Sequence, residues 1–293
     1  MIHRKTFQLR LRSGLLRLGE RTLVMGVLNV TPDSFSDGGK FFDVKHAVRH
    51  ALAMQRDGAD IVDIGAESTR PGSLAISAAE QLRRLLPVLE ALRGKLTIPI
   101  SVDTQKSAVA QLSLGAGAEI VNDISGLRSD PELASVAAKY GAPLILMHMR
   151  GMPRTMQKGP FARDAMRDVM SGLRKSIAAA KKFGVKQSQI VIDPGIGFGK
   201  SCSQNYELLA QLPQLAKLGH PLMVGTSRKG FLGATLAKNG KPAPAAERIF
   251  ATAATVAASI LNGAHIVRVH DVAEMKQVAL TMDALLRANT SQR

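Results

Sequence analysis

The chain has no tryptophan, a single cysteine, and few aromatic residues, which make up 4% of its 293 positions. A lone Cys202 excludes an internal disulfide framework and fits a reducing cytoplasm. So sparse a set of rings offers no stacking platform for single strands. The net charge of +16 therefore implies non-specific attraction to nucleic acid and no specific nucleic-acid partner. Long apolar runs are missing too. The most apolar late stretch, 249–264, is interrupted by Thr252, Thr255, Ser259 and Asn262, too short and polar to span a bilayer. Met1-Ile2-His3-Arg4-Lys5 lacks the apolar core of a signal peptide. The expectation is a cytoplasmic protein with small-molecule partners and no membrane.

What is present is enough apolar residue, 45%, to bury one large core, and the whole chain, 1–293, reads as one domain. Phe7, Leu9 and Leu11 alternate with polar residues before Ser13-Gly14, and Leu16 and Leu18 follow, which predicts a basic N-terminal hairpin over about 1–22. Short apolar runs then recur, each closed by polar residues and followed by a helical pattern. Strands are predicted at 23–28, 60–64, 98–102, 119–121, 143–147, 190–193, 221–224 and 265–267, with a helical tail at the end. The segment 238–244 reads as a mobile loop. Eight strands alternating with helices point to an α/β fold, a (β/α)8 TIM barrel whose bottom the hairpin closes, with an open doubly wound sheet as the alternative.

In such a barrel the chemistry sits where loops leave the C-terminal strand ends. The stretch Ile190-Val191-Ile192-Asp193-Pro194-Gly195-Ile196-Gly197-Phe198-Gly199-Lys200 carries an acid to such an end, followed by a glycine-rich turn. It is not a P-loop, because Pro194 stands where the first glycine belongs, and Lys200 stands where a dinucleotide fingerprint needs its third glycine. The barrel reading gathers Asn29, Asp63, Asp103, Asn122, His148, Asp193, Lys229, Arg268 and His270 on one rim. Acids and an amide suit a flat heterocycle with N–H donors, and Lys229, Arg268 and His270 suit an adjoining anion. A divalent cation held by Asp63, Asp103 and Asp193 is the competing use of the acids. Asp123 and Asp271 read as caps of the following helices.

These motifs resemble dihydropteroate synthases. The resemblance is carried by Asn29-Val30-Thr31-Pro32-Asp33-Ser34-Phe35-Ser36-Asp37-Gly38-Gly39, Glu67-Ser68-Thr69-Arg70-Pro71-Gly72, Ser101 to Thr104, Asn122-Asp123-Ile124, Met147-His148-Met149, Asp193 to Lys200, Ser227-Arg228-Lys229 and Arg268-Val269-His270-Asp271, in order along the chain. It implies a transferase of folate biosynthesis that joins 6-hydroxymethyl-7,8-dihydropterin pyrophosphate to p-aminobenzoate, with pyrophosphate leaving before the arylamine attacks. It implies a pterin pocket of Asp63, Asp103, Asn122, Asp193, Lys229 and Arg268, and catalytic roles for Asp103, Lys229, Arg268 and His270. Thr69, Arg70, Pro71, Phe198 and Ser227 would receive p-aminobenzoate, and Asn29, Arg70, Arg268 and His270 the pyrophosphate. Asn29 would also hold Mg2+, the implied cofactor. A homodimer and sensitivity to sulfonamides follow from the resemblance alone. A pterin-binding methyltransferase and a non-catalytic basic binding protein are the alternatives. Ala66 stands where the family commonly has glycine, which gives the second loop less freedom at its start.

Overall fold

A computed structural model describes residues 4–31, 44–68, 73–152 and 154–290. Strands β1 (Phe7–Arg10) and β2 (Leu15–Leu18) pair antiparallel, as the alternation around Ser13-Gly14 predicts. The remaining strands are β3 (Leu23–Asn29), β4 (Ile61–Gly65), β5 (Ile100–Asp103), β6 (Ile120–Asp123), β7 (Leu144–Met147), β8 (Ile190–Asp193), β9 (Met223–Val224) and β10 (Ile266–Val269). They form one 8-stranded parallel sheet in the order β8-β7-β6-β5-β4-β3-β10-β9. A parallel bridge between Ile192 and Leu222, with Ile192 N–H donating to Pro221 O at 3.0 Å, joins its two ends into a barrel. The open-sheet alternative is thereby excluded. β9 is shorter than the predicted 221–224 because Pro221 has no N–H for the ladder and Leu222 makes only this bridge.

Helices α1 (Val44–Arg56), α2 (Ala78–Leu92), α3 (Ser107–Ala116), α4 (Glu132–Tyr140), α5 (Ala165–Lys182) and α6 (Cys202–Gln211) each follow a strand and cover the outside of the barrel. Their starts are fixed locally. Ser77 accepts from Glu80 N at 3.1 Å, Asp164 Oδ1 from Arg167 N at 2.9 Å, and Ser201 and Gln204 cap each other reciprocally. After β9 the chain makes two helices, α7 (Gly230–Thr235) and α8 (Ile249–Leu261), and α9 (Val272–Thr290) forms the predicted tail. The predicted loop at 238–244 contains a tight turn: Lys238 and Lys241 exchange both backbone hydrogen bonds, at 3.0 Å each, across Asn239 and Gly240 in the left-handed region.

The barrel interior divides in two because side chains alternate along a strand. Leu23, Met25, Ile61, Ile120, Ile145, Val191, Met223 and Ile266 fill its lower part, and Leu9, Leu11 and Leu18 of the hairpin seal them from below. The residues one position on, Val62, Val121, Leu146, Ile192 and Val267, face the helices, as does Val102 beside Ser101. The hairpin region is tied in by buried polar groups. Arg4 pairs with Asp283 at 2.6 Å and donates to Thr22 Oγ1 at 2.7 Å, while Asp283 accepts from Thr22 N at 2.7 Å. His265 accepts from Leu222 N at its Nδ1, 3.1 Å, which leaves Nε2 to donate to Lys5 O at 2.9 Å. Among the described residues no helix is long and apolar enough to cross a membrane.

His265 makes acid stability testable. Burial, against its bond to Lys5 and with Arg4 nearby, pulls it down from 6.5 to about 4. Between those values the unfolded chain takes a proton that the folded chain does not, so stability is lost as pH falls through that window, by about 1–3 kcal/mol. Urea titrations of the native protein and His265→Gln at pH 7.5 and 4.5 should show the variant less stable at pH 7.5 and the gap narrowing at pH 4.5. Equal gaps at both values would contradict the neutral lock.

Candidate active site

The upper interior is built by the same alternation. Two residues beyond five of the floor residues the chain turns another side chain inward: Ile61 is followed by Asp63, Ile120 by Asn122, Ile145 by Met147, Val191 by Asp193 and Ile266 by Arg268. Asp103 lies two residues after Ser101 on β5, paired in register with Gly65 and Asn122. The cross-strand register brings these groups together above the apolar floor.

Arg268 is the centre of that layer. Its Nε donates to Asp63 Oδ2 at 2.7 Å and its Nη2 to Asp103 Oδ2 at 2.9 Å. Asn122 Nδ2 donates to the same Asp63 oxygen at 2.9 Å, whereas the buried Asp63 Oδ1 has no partner among the described residues. Burial works against the guanidinium charge, but Asp63 and Asp103 more than offset it and raise its pKa. Burial pushes Asp103 up to about 7 against the attraction of Arg268, with Asp63 adding to the rise. Asp63 is wholly buried and holds Arg268 and Asn122, so it supports the rim from beneath. Asp63 and Asp103 are thus occupied by a guanidinium, and among the described residues no three His, Cys, Asp or Glu side chains converge as a cation cage.

Asp193 and Lys229 occupy the adjoining side. Asp193 Oδ1 accepts from Gly195 N at 2.7 Å; burial raises the acid's pKa against this bond and the attraction of Lys229. Lys229 follows Arg228, whose φ of 57° is unusual for a side-chain-bearing residue. That turn is pinned: Arg228 Nε donates to Asp271 at 3.0 Å, its N–H donates to Thr252 Oγ1 at 3.2 Å, and its carbonyl accepts from Arg248 at 2.7 Å. Asp271, predicted as a helix cap, serves as this guanidinium's partner. The turn sends Lys229 Nζ over the Phe198 ring, 4.0 Å from its centroid. Burial, then Arg268, pull Lys229 down to about 8.

Other predicted groups fall into place or out of it. Ser227 Oγ lies 3.0 Å from His270 Nδ1 and accepts from His270 N at 3.1 Å. Burial, then Arg268 and Arg228, pull His270 down to about 3. Asn29 ends β3 on the same rim, opposite Gly65. His148 leaves the rim: one residue past the inward Met147, it turns toward Gly172 of α5 and lies 3.2 Å from Lys200 Nζ. Asp123, also outward, accepts from Ser125 and Leu127 N–H and caps its own turn. Thr69, Arg70 and Pro71, with the loop 32–43, lie outside the described residues. The described base of the second loop is anchored by Arg84, which donates to Ala66 O at 3.0 Å, and by Gln81, which bridges Glu67 and Thr104. Ala66 does not adopt a positive φ, so its methyl group is tolerated.

Apart from Phe198, the apolar wall beside the charged layer went unread in the sequence. Ile124, Met147, Met149, Met156 and Phe198 form a buried cluster of their own. The inward spacing from Ile145 to Met147 carried that signal; a search for polar strand ends passes over it. Together the layer offers a carboxylate and an amide for donors and acceptors at a ring edge, an apolar wall for its face, and a cation–ring pair at one side.

Comparison with known proteins agrees with this geometry. The model of the pterin binding enzyme family matches residues 25–270. A dihydropteroate synthase of Synechocystis is 49% identical over 269 residues, 92% of each chain. The solved Yersinia pestis dihydropteroate synthase with a sulfonamide drug superposes with a TM-score of 0.88 at 41% identity, covering 96% of this chain and all of that one, 100%. That of Burkholderia cenocepacia, complexed with 7,8-dihydropteroate, gives 0.85 at 40% identity over 98% of this chain and 99% of that one. The chain belongs to the pterin-binding enzymes and, within them, to the dihydropteroate synthases, a family of transferases.

Proposed function

We propose that this enzyme condenses 6-hydroxymethyl-7,8-dihydropterin pyrophosphate with p-aminobenzoate at the upper barrel interior. The observation that carries the assignment of groups is the inward layer itself, in which Asp193, Asn122, Asp103, Lys229 and Arg268 converge beside the wall of Ile124 and Met147. The amino-oxo edge of a pterin presents two N–H donors side by side. Asp193 accepts them, while Asn122 and Lys229 supply the opposite polarity to ring nitrogens and the carbonyl. Asp103 and Arg268 border the ring, with Asp63 fixing both Arg268 and Asn122 from below. Phe198 and Ser227 shape the p-aminobenzoate side, joined by Thr69, Arg70 and Pro71.

In the reaction the methylene carbon–oxygen bond breaks and its electron pair leaves on pyrophosphate. The arylamine lone pair then forms the carbon–nitrogen bond and the nitrogen sheds a proton. No side-chain nucleophile is needed, so the protein contributes orientation, charge and exclusion of water. Asn29, Arg70, Arg268 and His270 receive the pyrophosphate. The inner layer sets Asp63, Asp103 and Asp193 against Arg268 and Lys229, so each of these cations already has an acid beside it. That pairing, with an amide oxygen at Asn29 and no protein cage among the described residues, fits Mg2+ bound chiefly through substrate phosphates. When bound there it would neutralise charge developing on the leaving group.

We also propose that the chain acts in the cytoplasm as one domain, with the hairpin and α9 completing the barrel, and as a homodimer. Exposed apolar side chains on the neighbouring α8 and α9, among them Phe250 and Leu280, support the last reading.

The assay that tests the reaction measures pyrophosphate release and dihydropteroate formation with pterin pyrophosphate, p-aminobenzoate or Mg2+ omitted in turn. The two products should appear in equal amounts only when all are present; pyrophosphate release at an unchanged rate without p-aminobenzoate would count against the synthase chemistry. For the pterin pocket, Asp193→Asn replaces one acceptor oxygen by a donor. Calorimetry should show pterin affinity falling by about 10- to 150-fold, the loss of about 1.5–3 kcal/mol for one charged hydrogen bond. Unchanged affinity would remove Asp193 from the pocket.

A further inference from the structure

Lys200 ends the glycine-rich turn after β8, and its side chain runs into the protein, where only 4% of the residue is exposed. Its Nζ donates to Gly195 O at 2.9 Å, Phe198 O at 2.9 Å and His148 O at 3.3 Å, and lies 3.2 Å from His148 Nδ1. None of these partners is a carboxylate. Burial pulls Lys200 down to about 7, against the attraction of Asp193 and Asp168, and its head group serves as a hub for main-chain carbonyls, not as half of an ion pair. Three protons cannot serve four acceptors separately, so His148 O and Nδ1, the two longer contacts, share one; for Nδ1 to accept, the ring proton sits on Nε2, the nitrogen 3.6 Å from Asp168. Burial, then the charge of Lys200, pull His148 down to about 3, which keeps the ring neutral and able to accept.

The turn that Lys200 gathers is under close steric control. Gly195, Gly197 and Gly199 have φ of 66°, 84° and 68°. A methyl group at Gly195 would stand 1.9 Å from His148 O, and one at Gly199 2.1 Å from Arg150 O, so this backbone lies directly on 148–150. From the outer side Gly197 N donates to Asn205 Oδ1 at 2.6 Å, and Gln157 donates to Gly197 O at 2.8 Å. Phe198 sits within this arch and carries the ring under Lys229. Moving that ring would strip the buried Lys200 head group of its acceptors at 195 and 198, a costly change for polar N–H groups removed from water.

We propose that Lys200 is a positioning residue for the arylamine side of the site: by collecting the carbonyls of His148, Gly195 and Phe198 on one ammonium, it fixes the turn that holds Phe198 against Lys229. This rests on the reading above, which gives Phe198 to p-aminobenzoate. Asp193 shares Gly195 and His148 with that hub, through Gly195 N on its Oδ1 at 2.7 Å and His148 N on its carbonyl at 2.9 Å, but it is also held by the strand ladder, in register with Met147. The pterin side is therefore less dependent on Lys200.

The test is Lys200→Met, which keeps the length and removes the donors, assayed for both substrates beside the native enzyme, with pterin binding by calorimetry. KM for p-aminobenzoate should rise about tenfold or more while pterin affinity stays within about threefold. A folded variant with unchanged KM, or with equal losses for both ligands, overturns the proposal while native turnover leaves the synthase reading standing. Absence of native turnover overturns both. If Lys200→Met does not fold, Lys200→Gln, which keeps two N–H donors, is measured in the same way; failure of both to fold would assign Lys200 to stability and end the proposal.

Discussion

The site depends on one buried arrangement of charge, Arg268 held between Asp63 and Asp103. A guanidinium and two carboxylates taken from water cost several kcal/mol each unless geometry and further hydrogen bonds offset the loss. Here the offset is specific: Nε and Nη2 of Arg268 each find a carboxylate oxygen at 2.7 and 2.9 Å, and Asn122 adds a donor to Asp63. Three strands, β4, β5 and β10, are thereby cross-linked at their functional ends. The same contacts set the orientation of Asn122 and Arg268 before any ligand arrives, which is the preorganisation that a charge-separating reaction needs.

That triad stands on an apolar floor, and the order of the two layers follows from strand alternation. A floor residue and a functional residue two positions apart on the same strand point the same way, so the hydrophobic packing that closes the barrel also fixes where the charges stand. The hairpin matters to the site for this reason: Leu9, Leu11 and Leu18 cover the floor from beneath, and Arg4 and His265 hold that cover through buried hydrogen bonds. The helices contribute by aiming loops, most clearly where a strained Arg228, pinned by Asp271 and Arg248, delivers Lys229.

Much of this is legible in the sequence because apolar runs closed by polar residues mark strand ends. Asp103, Asn122, Asp193 and Arg268 were all readable that way, as was the hairpin from its alternation. His148 misleads because strand-end position alone does not give the facing; its odd spacing from Ile145 turns it outward, as the spacing of Asp123 from Ile120 does. Ile124, Met147 and Met156 escape a reading that looks for polar chemistry. The interlocking of Arg268 with Asp63 and Asp103 joins residues far apart in the chain, 205 and 165 positions, and only the closed barrel brings them together. The pairing of Asp271 with Arg228 is hidden for the same reason.

The measurement that bears most directly on this account is pterin binding by Asp63→Asn, since Asp63 is fully buried and, among the described residues, accepts hydrogen bonds from Arg268 and Asn122. Calorimetry on the folded variant should give an affinity lower by about tenfold or more, equivalent to about 1.4 kcal/mol, with circular dichroism unchanged. An affinity equal to that of the native protein would mean that the buried triad stabilises the barrel without organising the site, and would contradict the account.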